Sequence, residues 1–367
     1  MMTIDVETLR TWLEEGRPVT VLDIRPMHER VEWAIPGSIH VDAYDALKAN
    51  DPKAFAEVEL PVNIPVVTVC AAGKTSLVAA QQLQARGIQA LSLDGGMKAW
   101  SLAWNIAEIS LPSSQARVIQ VRRTGKGCLS YFISVGKTAV VIDASLDPQV
   151  YLDLAHHYGW QIECVLDTHI HADHLSRSRR LAQMSGATLF LPDQTRVSFP
   201  FTPIHDGDTL EPGTATLTAL HTPGHTPEST CYLLDQHVLL TGDTLFPTGV
   251  GRPDLAADAD EVERRASELY TSLRTLLALP PETIVLPGHT STPVAFNSDP
   301  IASTLADIQE QVGVIHATRE VFLQQILARI PPTPPNYERI VKLNEAGLLP
   351  ERDVTELEAG ANRCAIS

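Results

Sequence analysis

The sequence predicts an α/β protein in two parts: an N-terminal domain on a parallel sheet, then a larger second domain with a helical tail. Three observations predict it. Apolar runs alternate with helical stretches through the first hundred residues, as in strands joined by crossover helices. Four later apolar runs each end in a loop that carries His or Asp. From about residue 298 the pattern turns helical, broken by Pro331-Pro-Thr-Pro-Pro335.

The chain has 367 residues, 44% of them hydrophobic, enough for more than one core. Its formal net charge of −16 makes nucleic acid and anionic membrane surfaces poor partners. The start, Met1-Met-Thr-Ile-Asp-Val-Glu7, is too acidic for a secretory signal. No run reaches the ~20 apolar residues of a membrane span. The five cysteines are scattered and odd in number, which favours free thiols and a cytoplasmic location. The sequence leaves room for a homo-oligomer.

Residues 1–108 read as the first domain. Val6 to Glu15 forms a helix stopped at Gly16, and Val19 to Leu22 a strand leading into Asp23 and Arg25. Ile35 to Ile39 is a turn and Ala43 to Ala49 a helix. Ile64 to Val69 is a buried strand that ends at Cys70, and Ser76 to Arg86 a helix closed by Gly87. A strand at Ala90 to Leu93 and a helix at Met97 to Trp104 complete it. Cys70 stands at a strand end before a helix, in Cys70-Ala-Ala-Gly-Lys-Thr-Ser76. Inward backbone N–H groups, the helix start and Lys74 would stabilise a thiolate there.

Residues 109–116 read as a Ser/Pro-containing linker, 117–297 as the second domain and 298–367 as its helical extension. Arg117 to Val121, Leu129 to Val135 and Ala139 to Ile142 form a strand meander, followed by a helix over Val150 to Tyr158. Ile162 to Leu166 is a strand that runs into Asp167-Thr-His-Ile-His-Ala-Asp-His174, three imidazoles and two carboxylates in eight residues. His169 and His171, two apart, project to one side of an extended loop. Further strand ends present His221-Thr-Pro-Gly-His225, Thr241-Gly-Asp243 and Pro287-Gly-His289. Imidazole with carboxylate suits zinc, iron or manganese. Cys128, Cys164 and Cys231 lie in strand-like runs and read as core.

The ordered His-x-His-x-Asp-His, Thr-Pro-Gly-His, Gly-Asp-Thr and Pro-Gly-His motifs resemble the metallo-β-lactamase superfamily over residues 117–295. The resemblance implies an αββα sandwich with metal at one edge. As two zinc sites, His169, His171 and His225 form one, Asp173, His174 and His289 the other, and Asp243 bridges them. Leu22-Asp-Ile-Arg25, Ala34 to Ile39, Cys70 to Ser76 and Leu93 to Trp100 occur in the order of a rhodanese domain. That likeness implies that Cys70 carries persulfide sulfur and that Asp23 and Arg25 form a structural ion pair. Rhodanese loops often carry arginine where this one has Ala71 and Thr75. The loss of bidentate grips on thiosulfate favours a thiol persulfide as donor.

Two reactions fit the motifs. A dinuclear zinc centre would hydrolyse a thioester, as in glyoxalase II. A single Fe(II) on two histidines and a carboxylate would oxidise a thiol persulfide with O₂. Ala172 in the His-rich loop, Gly242 to Phe246, Gly249 to Asp254, Pro334 to Tyr337 and Glu358 to Cys364 are similar to the persulfide dioxygenases. That resemblance implies Fe(II), one per chain, on His169, His225 and Asp243, with glutathione persulfide and O₂ as substrates and sulfite as product. His171, Asp173, His174 and His289 then orient the ligands and move protons, and Arg252 pairs with a substrate carboxylate or with Asp254. Pro227-Glu228 departs from the family's Gly-containing pair and would reshape the pocket.

Overall fold

The computed structural model describes residues 2–111, 114–352, 354–360 and 362–366. In the first domain, five strands pair in the order Thr3–Ile4, Ala90–Leu93, Val66–Val69, Thr20–Asp23, Ile39–His40, all parallel. Helices cover both faces. Leu22, Val66, Cys70 and Leu83 pack on one side, and Val21, Val67, Leu93 and Trp100 on the other. The helix Met27–Glu32 and the strand Ile39–His40 add to the elements expected from sequence.

The second domain is an αββα sandwich. Its seven-stranded sheet runs Thr202–Ile204, Thr188–Pro192, Gln161–Leu166, Thr138–Ile142, Cys128–Val135, Arg117–Arg123, Asn105–Ile109. Its six-stranded sheet runs Thr209–Leu210, Leu217–His221, Thr230–Leu234, Val238–Gly242, Ile284–Pro287, Ser303–Thr304. Val118, Ile133 and Val140 of the first sheet meet Leu217, Tyr232 and Leu240 of the second in one core. The helices Pro148–Tyr158 and Ser178–Ser185 cover one outer face, and Ala259–Leu276 with Arg319–Ala328 the other.

The expected linker is corrected by this pairing. Asn105–Ile109 is an edge strand of the second domain, antiparallel to Arg117–Arg123 with Ile109 opposite Val118. Its burial alternates, so its apolar side chains need the sandwich core. Residues 109–116 therefore connect two strands of one sheet, and the chain passes between domains at about 101–104. Pro112 and Ser113 lie outside the described residues.

The tail is only partly helical. Ser303–Thr304 joins the six-stranded sheet, and Ala365–Ile366 pairs with Gly249–Gly251. Between these ends the tail touches both domains. Glu356 meets Lys98 at 2.5 Å and Arg363 meets Glu32 at 3.1 Å. Glu358, fully buried, accepts from Arg123 at 2.7 Å, Arg177 at 2.5 Å and the Leu175 backbone at 2.7 Å. Burial raises the Glu358 carboxyl, but Arg123 and Arg177 outweigh it and lower the group from 4.5 to about 2.

Because the folded value is depressed, this clamp contributes fully above pH 4.5 and is lost as pH falls toward about 2. Glu358→Gln would leave two buried guanidinium groups short of charge. It should destabilise the protein by about 3–5 kcal/mol in urea unfolding at neutral pH. Arg363→Ala, which removes the Glu32 surface pair, should change stability by less than about 1 kcal/mol.

Candidate metal centre

Each loop of the His/Asp cluster follows a strand of one of the two facing sheets. Gln161–Leu166 leads into 167–174, Leu217–His221 into 222–225, Val238–Gly242 into Asp243, and Ile284–Pro287 into His289. The loops are braced from beneath. Asp143, at φ +57° after Thr138–Ile142, accepts the Thr168 N–H at 2.7 Å and the Thr168 hydroxyl at 2.9 Å. Asn344, from the tail helix Tyr337–Ala346, donates to the carbonyls of His171 and His174. Glu228 is buried and accepts the Ile170 N–H at 2.9 Å, so the departure at Pro227-Glu228 anchors the His-rich loop. Gly288 has no room for a side chain, since a Cβ there would lie 2.8 Å from Asp243 Oδ1.

His169, His225 and Asp243 come together as the mononuclear set requires, their ligand atoms within 4.8 Å of one another and all buried. Hydrogen bonds fix both rings. His225 Nδ1 donates to the Arg252 carbonyl at 2.8 Å, and His169 Nδ1 to Thr168 Oγ1 at 2.9 Å, whose proton goes to Asp143. Each ring is thereby left with a bare Nε2 lone pair. Asp243 Oδ1 accepts from His289 at 2.5 Å, while Oδ2 lies 3.5 Å from His225 Nε2 and 3.9 Å from His169 Nε2. Asp243 Oδ2 and His169 Nε2 are buried with no hydrogen-bond partner. Donors ~2.0–2.2 Å from a common ion lie about 3.1–3.8 Å apart, so the 3.5 Å pair is already at that spacing and the 3.9 Å pair lies just beyond it, and a small inward shift of His169 lets the set hold one divalent cation.

The charges also fit. Burial would raise the Asp243 carboxyl, yet His289 and the neighbouring imidazoles hold it well below the carboxylate range. Burial lowers His225, and burial with His171 lowers His169 far below 6.5. At neutral pH the site thus offers one carboxylate and two neutral imidazoles, the forms that bind metal.

The remaining residues form a second group with a member not expected from sequence. Cys128, at the start of Cys128–Val135, offers Sγ beside Asp173, His174 and His289, and all four are buried. Cys128 was expected in the core. Its thiol instead donates to Asp173 Oδ2 at 3.4 Å, because Cys128 and His289 form a β-bridge that carries the strand start to the centre. His171 stands apart, its Nε2 on Asp143 at 3.2 Å in a cluster with Asp167. The tail supplies two more neighbours. Asn362 donates to Asp173 at 2.9 Å, and Cys364 offers Sγ beside Asp243 and His289.

Two expectations are corrected. Arg252 is fully buried and pairs with Asp254 at 2.8 Å through two nitrogens. Its other N–H groups go to the carbonyls of Pro331, Pro332 and Arg363. It ties loop to tail and has nothing left for a substrate carboxylate. Lys74 is exposed at the start of the helix Lys74–Ala85, and among the described residues no polar contact joins it to Cys70.

Cys70 itself is buried, its Sγ 3.3 Å from Ser76 Oγ, which meets Ser92 Oγ at 2.9 Å. Asp23 and Arg25 form the expected buried pair at 2.6 Å. The Cys70 loop opens on a cleft of about 330 Å³ between the domains. Arg25, Ala71 and Lys98 line one side, and Gly125, Pro335 and Gly360 the other. A second cleft of about 500 Å³ reaches His169 and His171 past Arg179, Arg180, Phe199 and Asn344.

Residues 5–103 match the rhodanese-like domain, and residues 123–197 and 184–289 the metallo-β-lactamase superfamily. A hydroxyacylglutathione hydrolase of Chelativorans sp. is 30% identical over 196 residues, 52% of this chain and 73% of that protein. The chain belongs to the metallo-β-lactamase superfamily. A hydroxyacylglutathione hydrolase of Rhizobium johnstonii is 34% identical over 47% of this chain, which spans only 64% of that protein's length. Among solved structures, a metallo-β-lactamase from Staphylococcus aureus subsp. aureus COL aligns at TM-score 0.58 and 27% identity. It covers 64% of this chain and 74% of its own. ETHE1 from Myxococcus xanthus aligns at TM-score 0.53 and 27% identity over 66% of this chain and 99% of its own. This superfamily member thus carries a rhodanese-like domain at its N-terminus.

Asp243→Asn removes the only negative charge of the three-residue set. Metal bound at one equivalent should weaken by about tenfold or more, read by metal analysis after dialysis, with the circular dichroism unchanged. Retention of wild-type metal content would contradict the assignment.

Proposed function

We propose that the chain is a persulfide dioxygenase coupled to a sulfurtransferase. Fe(II), one per chain, would be held by His169 Nε2, His225 Nε2 and Asp243 Oδ2. When bound it would supply a redox-active centre with positions open to O₂ and to a thiol persulfide. The overall reaction consumes glutathione persulfide, O₂ and water and yields glutathione, sulfite and two protons. The observation that carries this reading is the triad of two neutral imidazoles and one ionised carboxylate, with bare donor atoms, in a chain that also holds a rhodanese-like domain. The likeness of the chain's motifs to the persulfide dioxygenases supports it.

The chain's own groups take definite parts. The Arg252 carbonyl and Thr168 hold the two rings in the tautomers that expose Nε2. His171 Nδ1, buried without a partner beside the His169 ring at 4.2 Å, is placed to hold a proton released during the reaction. Arg179 and Arg180, at the cleft that reaches His169, carry the charge that glutathione's carboxylates require. In the first domain, a Cys70 persulfide passes its outer sulfur to a thiol. One S–S bond breaks as another forms, the proton moves to the Cys70 sulfur, and no net oxidation occurs. Fusing this step to the oxidation keeps the persulfide at high local concentration.

The second reading is a dinuclear zinc hydrolase acting on a glutathione thioester. The names of the curated relatives and the second cluster of His, Asp and Cys favour it. Both readings share a glutathione-borne substrate, so product analysis separates them.

Protein loaded anaerobically with iron and given glutathione persulfide should take up O₂ and form sulfite in equal amounts. Cys70→Ser should keep that activity while abolishing sulfur transfer between thiols. Absence of O₂ uptake by iron-loaded protein, together with hydrolysis of S-lactoylglutathione by the zinc form, would replace this reading with the hydrolase.

A further inference from the structure

The cleft beside Cys70 is built by both domains. The rhodanese-like domain gives Arg25, Trp33 and Ala71, and the second domain with its tail gives Gly125, Pro335 and Gly360. Met97, whose N–H bonds the Cys70 carbonyl at 2.8 Å, lines the same space. The volume of about 330 Å³ lies at the lower end of the ~300–1,000 Å³ of small-molecule sites. Ala71, with a single methyl group, leaves that volume clear.

Two buried polar groups around this cleft lack the partners they need. Trp33 is 4% exposed, and its Nε1–H meets no acceptor. Its ring reaches the second domain, where a Cβ at Gly127 would lie 3.1 Å from Trp33 Cη2. Lys126, between Gly125 and Gly127, is 3% exposed. Its Nζ donates to the Gly360 carbonyl at 3.3 Å, and among the described residues no carboxylate pairs with it. A buried ammonium with one neutral carbonyl is costly, and an anion at that place would relieve it. Both Gly125 and Gly360, the residues that hold this ammonium, line the cleft.

We propose that the cleft binds the thiol that receives sulfur from Cys70, and that this thiol is of low molecular weight and carries a carboxylate held by Lys126. The second domain thereby completes the sulfurtransferase site of the first. Trp33 Nε1–H supplies a further donor to the same ligand. A persulfide carries the reacting atom ~2 Å beyond the buried Cys70 Sγ. The acceptor thiolate attacks that outer sulfur. A new S–S bond forms, the bond to Cys70 Sγ breaks, and the proton given up by the acceptor ends on Cys70, with no net oxidation. Protein thiols are excluded, because Pro335 and Gly360 face Ala71 across the cleft and the Lys98–Glu356 pair ties the tail down beside it. The inference rests on the sulfurtransferase part of the function reading and is independent of the metal and its reaction.

Single-turnover sulfur transfer by the full-length chain is the test. Cys70 is loaded with sulfur from inorganic polysulfide and desalted, with Cys70→Ser as the blank. Loss of the persulfide is followed by mass spectrometry after mixing with glutathione, with 2-mercaptoethanol, which has no carboxylate, or with reduced thioredoxin. At equal thiolate concentration glutathione should react at least ~tenfold faster than 2-mercaptoethanol, the size of one charge-assisted hydrogen bond, and thioredoxin more slowly than either. Lys126→Met should shrink the preference for glutathione to within ~twofold. It removes an uncompensated buried charge, so the circular dichroism should stay that of the wild type. Ala71→Phe, which fills the cleft from the opposite wall, should slow both small thiols by more than ~tenfold, since a displaced acceptor loses its alignment with the persulfide. Equal rates for the two small thiols in the wild type, a preference that survives Lys126→Met, or rapid transfer to thioredoxin would each overturn the proposal. Transfer to no thiol at all would remove the sulfurtransferase reading and the proposal with it. Glutathione persulfide supplied directly to iron-loaded protein bypasses Cys70, so O₂ uptake reports on the other half of that reading alone.

Discussion

The centre depends on one buried carboxylate kept ionised. Asp243 is 2% exposed, where burial alone would protonate it, and the adjacent imidazoles hold it charged. Its two oxygens have separate duties. Oδ1 is committed to His289, which leaves Oδ2 bare for the His169 and His225 side. The glycines around it follow from that demand. A Cβ at Gly288 would meet Asp243 Oδ1, and one at Gly242 would lie 2.5 Å from Thr168 Oγ1, the atom that orients His169. The two facing sheets exist, for this purpose, to bring four strand ends to a single carboxylate.

Where function sits at the end of an apolar run, the sequence shows it plainly. Val238-Leu-Leu240 before Asp243 and Ile284 to Leu286 before His289 can only be buried strands, and the polar residue that ends each must lie at a sheet edge. Groups delivered by other routes carry no such sign. Cys128 opens its strand, and only the bridge to His289 reveals that it faces the centre. Asn362 and Cys364 come from the far end of the tail, brought in by the pairing of Ala365–Ile366 with Gly249–Gly251. Asp143 closes a strand just as Asp243 does, so its bracing role could have been read by the same rule.

Other differences have equally local causes. Ile109 to Ala116 has the composition of a linker, but the alternation from Asn105 to Ile109 marks an edge strand that only the sandwich can bury. The helix Met27–Glu32 is too short, at six residues, for an amphipathic period to register. Arg252 next to Asp254 fits a binding role or a structural pair equally well from sequence. Its burial beneath the tail carbonyls decides for the second.

The tail makes one body of two chemistries. Within about ten residues it pairs with Lys98, which follows the Cys70 loop contact at Met97, seats Glu358 between Arg123 and Arg177, and reaches Asp173 through Asn362. The tail thus lines both clefts, at Pro335 and Gly360 beside the Cys70 loop and at Asn344 and Leu348 on the way to His169. We propose that one iron sits on His169, His225 and Asp243. The most direct measurement is a crystal structure of iron-loaded protein with anomalous scattering collected at the iron edge. The account predicts a single iron peak bonded to His169 Nε2, His225 Nε2 and Asp243 Oδ2. Iron bonded to His171, or iron in equal amounts at both clusters, would contradict it.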